Sequence, residues 1–413
     1  MIQKPVVGLP VLGPSVLASS RRAVALTVAA ILALGIQGCG PVTRAPGAAA
    51  PEADAAAPHF TRASVLAAGA RVADWQLSHL DHFDYVQENA RRQTAAPRDW
   101  LQATFYIGLT RFAEVTGEPR YRAAILAHGE AEHWGFDDRP RHADADATGA
   151  VWVWAARQTQ DPSKLAPLRA RFDAVLADPS SVSLEFVAPP PPARVAPCQV
   201  RWCWSDALFM APPVWVALTQ ATGDGRYLAH ADAEFWETTR YLYDTQEHLY
   251  FRDTRFISQR DANGRKIFWS RGNGWVLAGL ARILDDLPRD HPSRSRYEDL
   301  FKQMAVRIAS LQGDSGYWPV SLLEPQATPE TSGTGFFVYG LAWGINHGLL
   351  PATRYRACVE RGWHALTAAV QPDGKLGWVQ RGGSGPDEVA PDDTQLYGVG
   401  AFLLAASEVA QLR

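Results

Sequence analysis

A helical pattern that occurs six times constrains the fold of this 413-residue chain more than any other feature. Each copy is a polar loop followed by a helix of small and aromatic residues. Such helices are apolar on nearly every side, so they should be buried all round. The copies begin near Trp100, Ala147, Asp206, Gly272, Thr334 and Thr394, at intervals of 47 to 66 residues. Self-similarity at such a period indicates a repeated supersecondary unit.

Amphipathic segments with their charges on one face lie between these helices. They cover about residues 61–80, 120–134, 163–177, 226–244, 296–311 and 354–370. One buried and one half-exposed helix, repeated six times, close into two concentric rings. We therefore predict an all-α (α/α)6 six-hairpin toroid, with short β pieces in loops at Leu249–Ile257 and Leu376–Gln380. The alternative is an open helical solenoid, which would expose a wide apolar channel.

The N-terminus has the features of an export signal. Arg21-Arg22 is followed by an apolar run from Ala23 to Ile36, about the length of a signal core. Gly38-Cys39 after this run resembles a bacterial lipoprotein signal, with Cys39 lipidated. The paired arginines also fit the twin-arginine pathway, and a buried N-terminal helix is a third interpretation.

These features predict three regions: a signal at 1–39, a flexible tether at 40–58 and a folded domain at 59–413. The tether is rich in Pro, Ala and Gly and nearly lacks large apolar residues, as is typical of linkers. We expect an exported protein that is periplasmic or anchored to a membrane only through its lipid.

Charge and ligand spacing exclude several function classes. The net charge of −3 provides no positive field for a nucleic acid. The 11 His residues are scattered and form no HExxH or Cys/His cluster, so we expect neither a metal nor another cofactor. Cys198 and Cys203 are five residues apart, and both a local disulfide and two free thiols fit this spacing.

The polar loops before the inner helices should meet at one end of a toroid, and they contain carboxylates, an arginine and several tryptophans. Trp faces stack on sugar rings, and carboxylates perform acid/base chemistry on glycans. The same residues could also have structural roles. Asp146, Asp206 and Asp393 precede helices, where Asp is a common N-cap. Tryptophans are also common in protein cores. We interpret Asp84 as structural.

Two long motifs carry a family resemblance: Trp204–Pro213 (WSDALFMAPP) and Trp269–Trp275 (WSRGNGW). They resemble the unsaturated uronyl hydrolases of glycoside hydrolase families 88 and 105, in particular the unsaturated rhamnogalacturonyl hydrolases. Glu330–Gly335 and the region of Asp144 support the match, with Asp146 as the alternative counterpart. The resemblance spans about residues 60–410, which would make the folded domain the catalytic domain.

The resemblance implies an α/α six-hairpin barrel that hydrates the C4=C5 double bond of a terminal unsaturated uronate. The implied substrate is an oligosaccharide left by a polysaccharide lyase. We expect the chain itself to be a monomer or weak dimer. It implies Asp206 as general acid and base and Asp144 as the second carboxylate. It also implies a substrate site made of Trp204, Met210, Arg252, Trp269, Arg271, Asn273, Trp275, Thr331 and Ser332.

The resemblance gives several of these residues specific roles. Arg271 would pair with the substrate carboxylate, and Trp269 and Trp275 would stack on the sugars. Trp204 and Met210 would form an apolar wall that raises the pKa of Asp206. The chain departs from the family pattern in one hairpin, where many members have His and this chain has Arg252. The resemblance therefore does not imply the identity of the sugar that is released.

Three other functions also fit the residues. An inverting glycosidase on saturated glycans would use Asp206 and Asp144 as acid and base. A polysaccharide lyase would need a base together with a Tyr or Arg acid. A non-catalytic glycan-binding lipoprotein would need the aromatic cleft alone.

Overall fold

The computed structural model of the chain describes residues 60–80, 96–191, 193 and 195–412. The predicted signal at 1–39, the tether at 40–58 and Asp84 lie outside these residues and stay predictions. Within the described ranges, no helix is long and apolar enough to cross a membrane.

The buried helices form a closed inner ring within the described residues. In chain order they are α2 (Trp100–Thr116), α4 (Ala143–Thr159), α6 (Ala207–Met210) with α7 (Pro212–Thr222), α9 (Ser270–Asp286), α11 (Thr331–Asn346) and α13 (Leu396–Val409). Each contacts the next, and α13 contacts α2, which closes the ring.

The outer ring consists of α1 (Arg62–Leu77), α3 (Pro119–Ala131), α5 (Ala166–Ala177), α8 (Gly225–Leu242), α10 (Arg294–Ser310) and α12 (Ala352–Ala368). In the outer helix α8, Tyr227, Phe235 and Leu242 are buried and most of the charged side chains are not. In the inner helix α13, every residue is buried. The predicted six-hairpin toroid is thereby confirmed, because α13 contacts α2 and closes the ring, whereas a solenoid would stay open.

Repeated Thr-Gly turns end two of the inner helices. Gly117 follows α2 with φ 69°, and Gly223 follows α7 with φ 76°. This left-handed conformation favours glycine and closes the last turn of a helix. Each turn leads directly into an outer helix, so the same local signal builds two of the hairpins.

The β structure is short and only partly as predicted. Tyr243–Asp244 (β1) pairs with Leu249–Tyr250 (β2), and Trp318–Pro319 (β3) pairs with Pro329–Glu330 (β4). The predicted strand at Leu249–Ile257 is limited to β2, because the Asp253 side chain caps a 3-10 turn at Thr254–Phe256. Leu376 forms a single bridge with Val370. Further 3-10 turns lie at Pro162–Leu165 and Pro197–Val200.

Glycines allow the first and last inner helices to touch where the ring closes. A methyl group on Gly400 would overlap the carbonyl oxygen of Thr104, and one on Gly108 would overlap the backbone of Gly400. The two backbones are therefore in direct contact, which small residues alone permit.

We expect Gly400→Ala to lower the free energy of unfolding by about 1–3 kcal/mol, because the added methyl group forces α13 away from α2. The matched control is Gly225→Ala, where a Cβ meets nothing within 4 Å and the change should stay within about 0.5 kcal/mol. Chemical denaturation measures both, and equal effects would contradict the close contact.

Candidate active site

The candidate site lies at the end of the ring where the inner helices begin. Asp206 directly precedes α6, and Asp144 is in the first turn of α4. The backbone N–H of Ser205 donates to the carbonyl oxygen of Arg252 at 2.8 Å. This bond ties the loop before α6 to the loop after β2, so Arg252 lies beside Asp206.

The Asp206 carboxyl is nearly buried, with 14% of its side chain exposed. Its Oδ2 accepts a hydrogen bond from Ser205 Oγ at 3.0 Å and lies 3.7 Å from Arg252 Nε. Burial raises the pKa of Asp206, while Arg252, Arg271 and the Ser205 bond act against the rise and the Asp144 charge adds to it. The expected raised pKa of Asp206 therefore has a physical cause in this structure.

Asp144 is the second carboxylate near Arg252. Its Oδ2 lies 3.6 Å from Arg139 Nη1, and its backbone N–H donates to His142 Nδ1 at 3.3 Å. Burial raises the pKa of Asp144 to about 6, although Arg139 and Arg252 lower it. Burial lowers the pKa of His142 to about 3, so this imidazole is neutral at neutral pH.

Asp146, the alternative counterpart, points into the protein instead. Its Oδ1 accepts from Arg171 Nε at 2.8 Å, and its Oδ2 accepts from Trp215 Nε1 at 3.2 Å. Both oxygens are bound by the protein, and 6% of the side chain is exposed. The structure thus places Asp144, not Asp146, beside Asp206.

A buried carboxylate holds Arg252 in place. Asp253 has no exposed surface, and its Oδ2 accepts from Arg252 Nη1 and from Arg255 Nη2, both at 2.7 Å. The Arg252 Nε has no hydrogen-bond partner among the described residues. Asp253 therefore holds two guanidinium groups side by side, and the Nε of Arg252 lies buried beside the Asp206 carboxylate.

Arg271 is not arranged as expected for a substrate contact. Only 2% of it is exposed, and its guanidinium lies between the rings of Trp269 and Tyr397, 4.3 and 4.5 Å from their centroids. Its Nη1 and Nη2 donate to the carbonyl oxygens of Gln380 and Arg381, both at 2.9 Å. The charge acts on Asp206 through space, but the protein already uses the planar face and the donors.

Several other predicted substrate residues belong to the core. Trp275 is packed between Phe209 and Phe336, with ring centroids 4.7 and 4.2 Å away, so it does not line the cleft. Asn273 is fully buried and bonds both the N–H and the C=O of Tyr250. Core packing and backbone bonding occupy these two side chains, and their substrate roles stay predictions.

Thr331 and Ser332 are fully buried as well. Thr331 Oγ1 donates to the carbonyl oxygen of Gly377, and Ser332 Oγ donates to Glu330 Oε1. Glu330 caps α11 by accepting from the backbone N–H groups of Ser332 and Gly333. This part of the motif therefore positions a helix and offers no free group to a substrate.

The two residues of the predicted apolar wall beside Asp206 are both buried. Trp204 and Met210 are 2% and 1% exposed, and the Trp204 ring lies 5.0 Å from the His142 ring. Trp269 is also buried, with its Nε1 bonded to Gln380 at 2.7 Å. Both indole groups are therefore buried, so they keep water away from this end of the helical ring and expose little surface on which a sugar could stack.

Sequence reasoning missed Arg139 and the aromatic ring of Phe186. Arg139 pairs with Asp137 and Asp144, and Phe186 lies under the Arg255 guanidinium at 3.9 Å. The proximity of Arg139 to Asp144 in the chain was an available signal. Phe186 comes from a long loop without a motif, so nothing in the sequence pointed to it.

None of the three aspartates that fit N-caps in the sequence caps a helix through its side chain. Asp206 makes no cap hydrogen bond, Asp146 lies inside α4, and Asp393 accepts from the backbone of Ala390 in its loop. The Cys198–Cys203 disulfide is formed in the same region. Within the described residues, no group of three or more His, Cys, Asp or Glu is arranged to hold a metal ion.

Comparison with known proteins gives the site its class. Residues 70–413 match the model of Glycosyl Hydrolase Family 88, and the chain belongs to this family. It is 41% identical to an unsaturated 3S-rhamnoglycuronyl hydrolase of Alteromonas sp. (strain LOR), over 83% of this chain and 84% of that protein. Its function is hydrolysis of unsaturated uronyl glycans, and it is a glycoside hydrolase.

Two solved structures share the α/α-barrel fold, each with a TM-score of 0.73. A family 88 glycosyl hydrolase from Bacteroides vulgatus is 29% identical and covers 85% of this chain and 99% of its own. A protein described as a polysaccharide lyase is 30% identical and covers 84% of this chain and 97% of its own. Proteins with this fold are therefore described both as hydrolases and as lyases.

Replacing Asp144 should stabilise the protein in a pH-dependent way. With a folded-state pKa of about 6 against an ordinary 3.8, ionisation costs stability as the pH rises between these values, and the cost is complete above 6. Two pKa units correspond to about 3 kcal/mol. We expect Asp144→Asn to raise the free energy of unfolding by roughly 1–2 kcal/mol at about pH 7.5. The gain is smaller than the full shift because the side chain is partly exposed and the variant loses its ion pair with Arg139.

Unfolding free energies at two pH values check this prediction. The gain should disappear about one pH unit below the ordinary Asp pKa, where the carboxyl is protonated in both states. Asp392→Asn is the control, because Lys375 holds the pKa of this exposed carboxyl below its ordinary value. A gain for Asp144→Asn that does not change with pH would contradict the burial argument.

Proposed function

We propose that Asp206 protonates C4 of an unsaturated uronate at the non-reducing end of an oligosaccharide. The observation that carries this is a nearly buried carboxyl with a raised pKa, beside a second carboxylate and a guanidinium. A proton donor at neutral pH needs this shift.

The C4=C5 double bond is an enol ether, so a proton on C4 leaves an oxocarbenium-like cation at C5. Asp206, now a carboxylate, then removes a proton from the water that adds to C5. The resulting hemiketal opens and releases the neighbouring sugar. Asp144, with a pKa of about 6, is ionised at neutral pH and orients this water and the substrate, while Arg139 holds its carboxylate.

Arg252 is the cation that faces the uronate carboxylate. Its side chain is 12% exposed, and the hydrogen bond to Asp253 fixes its orientation. Arg271 supports the site through its charge but has committed its donors to backbone carbonyls. Guanidinium is suited to this task because its fork matches a carboxylate.

We propose a 3-sulfated rhamnose as the sugar next to the uronate. The Alteromonas relative is an unsaturated 3S-rhamnoglycuronyl hydrolase. Arg255 adjoins Arg252 on the same Asp253 and is 36% exposed, so a second cation is available for a second anionic group.

A lyase is the second candidate, because one structural relative is described as a polysaccharide lyase. A lyase creates the unsaturated chromophore, whereas a hydrolase that hydrates the double bond consumes it. An absorbance assay of the purified protein on oligosaccharides with unsaturated ends therefore distinguishes them by the sign of the change. An inverting glycosidase would leave the chromophore unchanged, and a binding protein would leave the glycan intact.

Asp206→Asn should lose roughly 100- to 10,000-fold in kcat and keep substrate binding, because the amide is not an acid that can deliver a proton. The loss of ultraviolet absorbance measures turnover, and calorimetry measures binding. Asp392→Asn is the control, since this exposed carboxylate pairs with Lys375 and accepts a hydrogen bond from Gln371 Nε2. An active Asp206→Asn variant would contradict the proton-donor role.

The alkaline limb of the kcat/KM profile should move in opposite directions in two variants. Arg252→Gln removes a positive charge that lowers the pKa of Asp206, so the alkaline limb should move to higher pH by about one unit. Asp144→Asn removes a negative charge that raises the pKa of Asp206, so the alkaline limb should move to lower pH by about a few tenths of a unit or more. Shifts of the same sign would exclude Asp206 as the titrating acid.

We also propose that the protein is an exported lipoprotein. The support is the signal pattern ending at Cys39 and the Cys198–Cys203 disulfide, which suits an oxidising compartment. Cys39→Ser should move the protein from the membrane fraction to the soluble fraction of the producing cell. Unchanged membrane association of this variant would contradict lipidation at Cys39.

A further inference from the structure

A cavity lies at the opposite end of the ring from Asp206. Its volume is about 410 Å³, within the range of small-molecule pockets. The lining comes largely from the C-terminal halves of the inner helices, including Arg111, Trp154, Arg282 and Asp285. It is therefore separate from the loops that carry Asp144, Asp206 and Arg252.

Arg282 provides the cavity with a guanidinium that lacks a direct carboxylate partner. Among the described residues, no acidic oxygen lies within ion-pair distance of it, and its one hydrogen bond goes from Nη1 to the carbonyl oxygen of Phe209 at 2.9 Å. Burial lowers the pKa of Arg282 to about 10. Buried guanidinium groups normally have more of their donors bound, so the remaining donors are available to a ligand in the cavity.

Two further polar groups of the lining are also buried and unpaired. The Tyr339 hydroxyl has no hydrogen-bond partner among the described residues, and neither has Arg111 Nε. Tyr339 has no exposed surface. A buried hydroxyl without a partner costs free energy, so its position in the wall of a cavity points to a bound molecule that satisfies it.

The charges of the lining select the kind of ligand. Arg111, Arg157 and Arg282 are balanced by Glu114, Asp285 and Asp286. Asp285 Oδ1 accepts from Trp343 Nε1 at 2.8 Å, which fixes the carboxylate close to the cavity. A balanced set of donors and acceptors matches vicinal hydroxyl groups, because each hydroxyl both donates and accepts hydrogen bonds. A single anion or cation would leave either the acceptors or the donors without a partner.

Apolar surface completes the match to a sugar. Ile107, Val153 and Ala217 line the wall, and Trp154 lies half-buried at the cavity with its Nε1 bonded to Glu114 at 2.9 Å. Sugars combine hydroxyl edges with C–H faces that pack on such surfaces. We propose that this cavity is a second binding site for a neutral, monosaccharide-sized polyhydroxyl ligand.

The test titrates the full chain with L-rhamnose and follows binding by calorimetry and ligand-observed NMR. We expect saturable binding with a Kd below about 50 mM, because a few hydrogen bonds provide affinity in the millimolar range. Tyr339→Phe should weaken binding at least about fivefold, because it removes one hydrogen bond. The matched control is Tyr317→Phe, whose hydroxyl donates to the Ala365 carbonyl oxygen elsewhere and whose loss should leave binding unchanged.

Arg252→Gln separates this site from the candidate active site and should leave the binding of L-rhamnose unchanged. If Tyr339→Phe fails to fold, Trp154→Ala replaces it, because this residue lies at the partly exposed edge. The absence of saturable binding would overturn the proposal, as would weakening by Arg252→Gln but not by the cavity variants. Displacement of the sugar by inorganic sulfate would indicate an anion site and would overturn it as well. None of these results depends on the reaction at Asp206.

Discussion

The removal of water from two neighbouring carboxyl groups is the physical constraint on which the candidate site depends. Burial disfavours the ionised forms of Asp206 and Asp144 and raises the pKa of both. Arg252 acts in the opposite direction on each of them. The balance between burial and the Arg252 charge therefore leaves the pKa of Asp206 above its ordinary value.

The toroid supplies that dry environment. Six buried helical positions place the loops before them at one end, and the contact between Gly400 and Thr104 closes the ring. The inner helices need no polar surface of their own, because the outer helices carry the charged faces. Both ends of the ring are then free to hold polar groups: the carboxylates at one end, and the cavity around Arg282 and Tyr339 at the other.

The periodicity of the chain was sufficient to predict the fold, because a helix that is apolar all round has few places to lie. It was also sufficient to bring Asp144 and Asp206 to one end. It could not distinguish a residue buried beside the carboxylates from a residue packed between the inner helices, since Trp204 and Trp275 belong to motifs of the same type. That difference depends on neighbours distant in the chain, such as Phe336 against Trp275. The role of Arg252 likewise depends on Asp253, whose burial no local pattern reveals.

The most direct test compares an unsaturated uronoside with its saturated counterpart, both joined to the same second sugar. Release of that sugar is measured for each, together with the absorbance of the double bond. The account predicts that only the unsaturated compound is cleaved, with loss of absorbance matching sugar release. Cleavage of the saturated compound at a comparable rate, or sugar release with the absorbance unchanged, would show that the proton goes to the glycosidic oxygen instead.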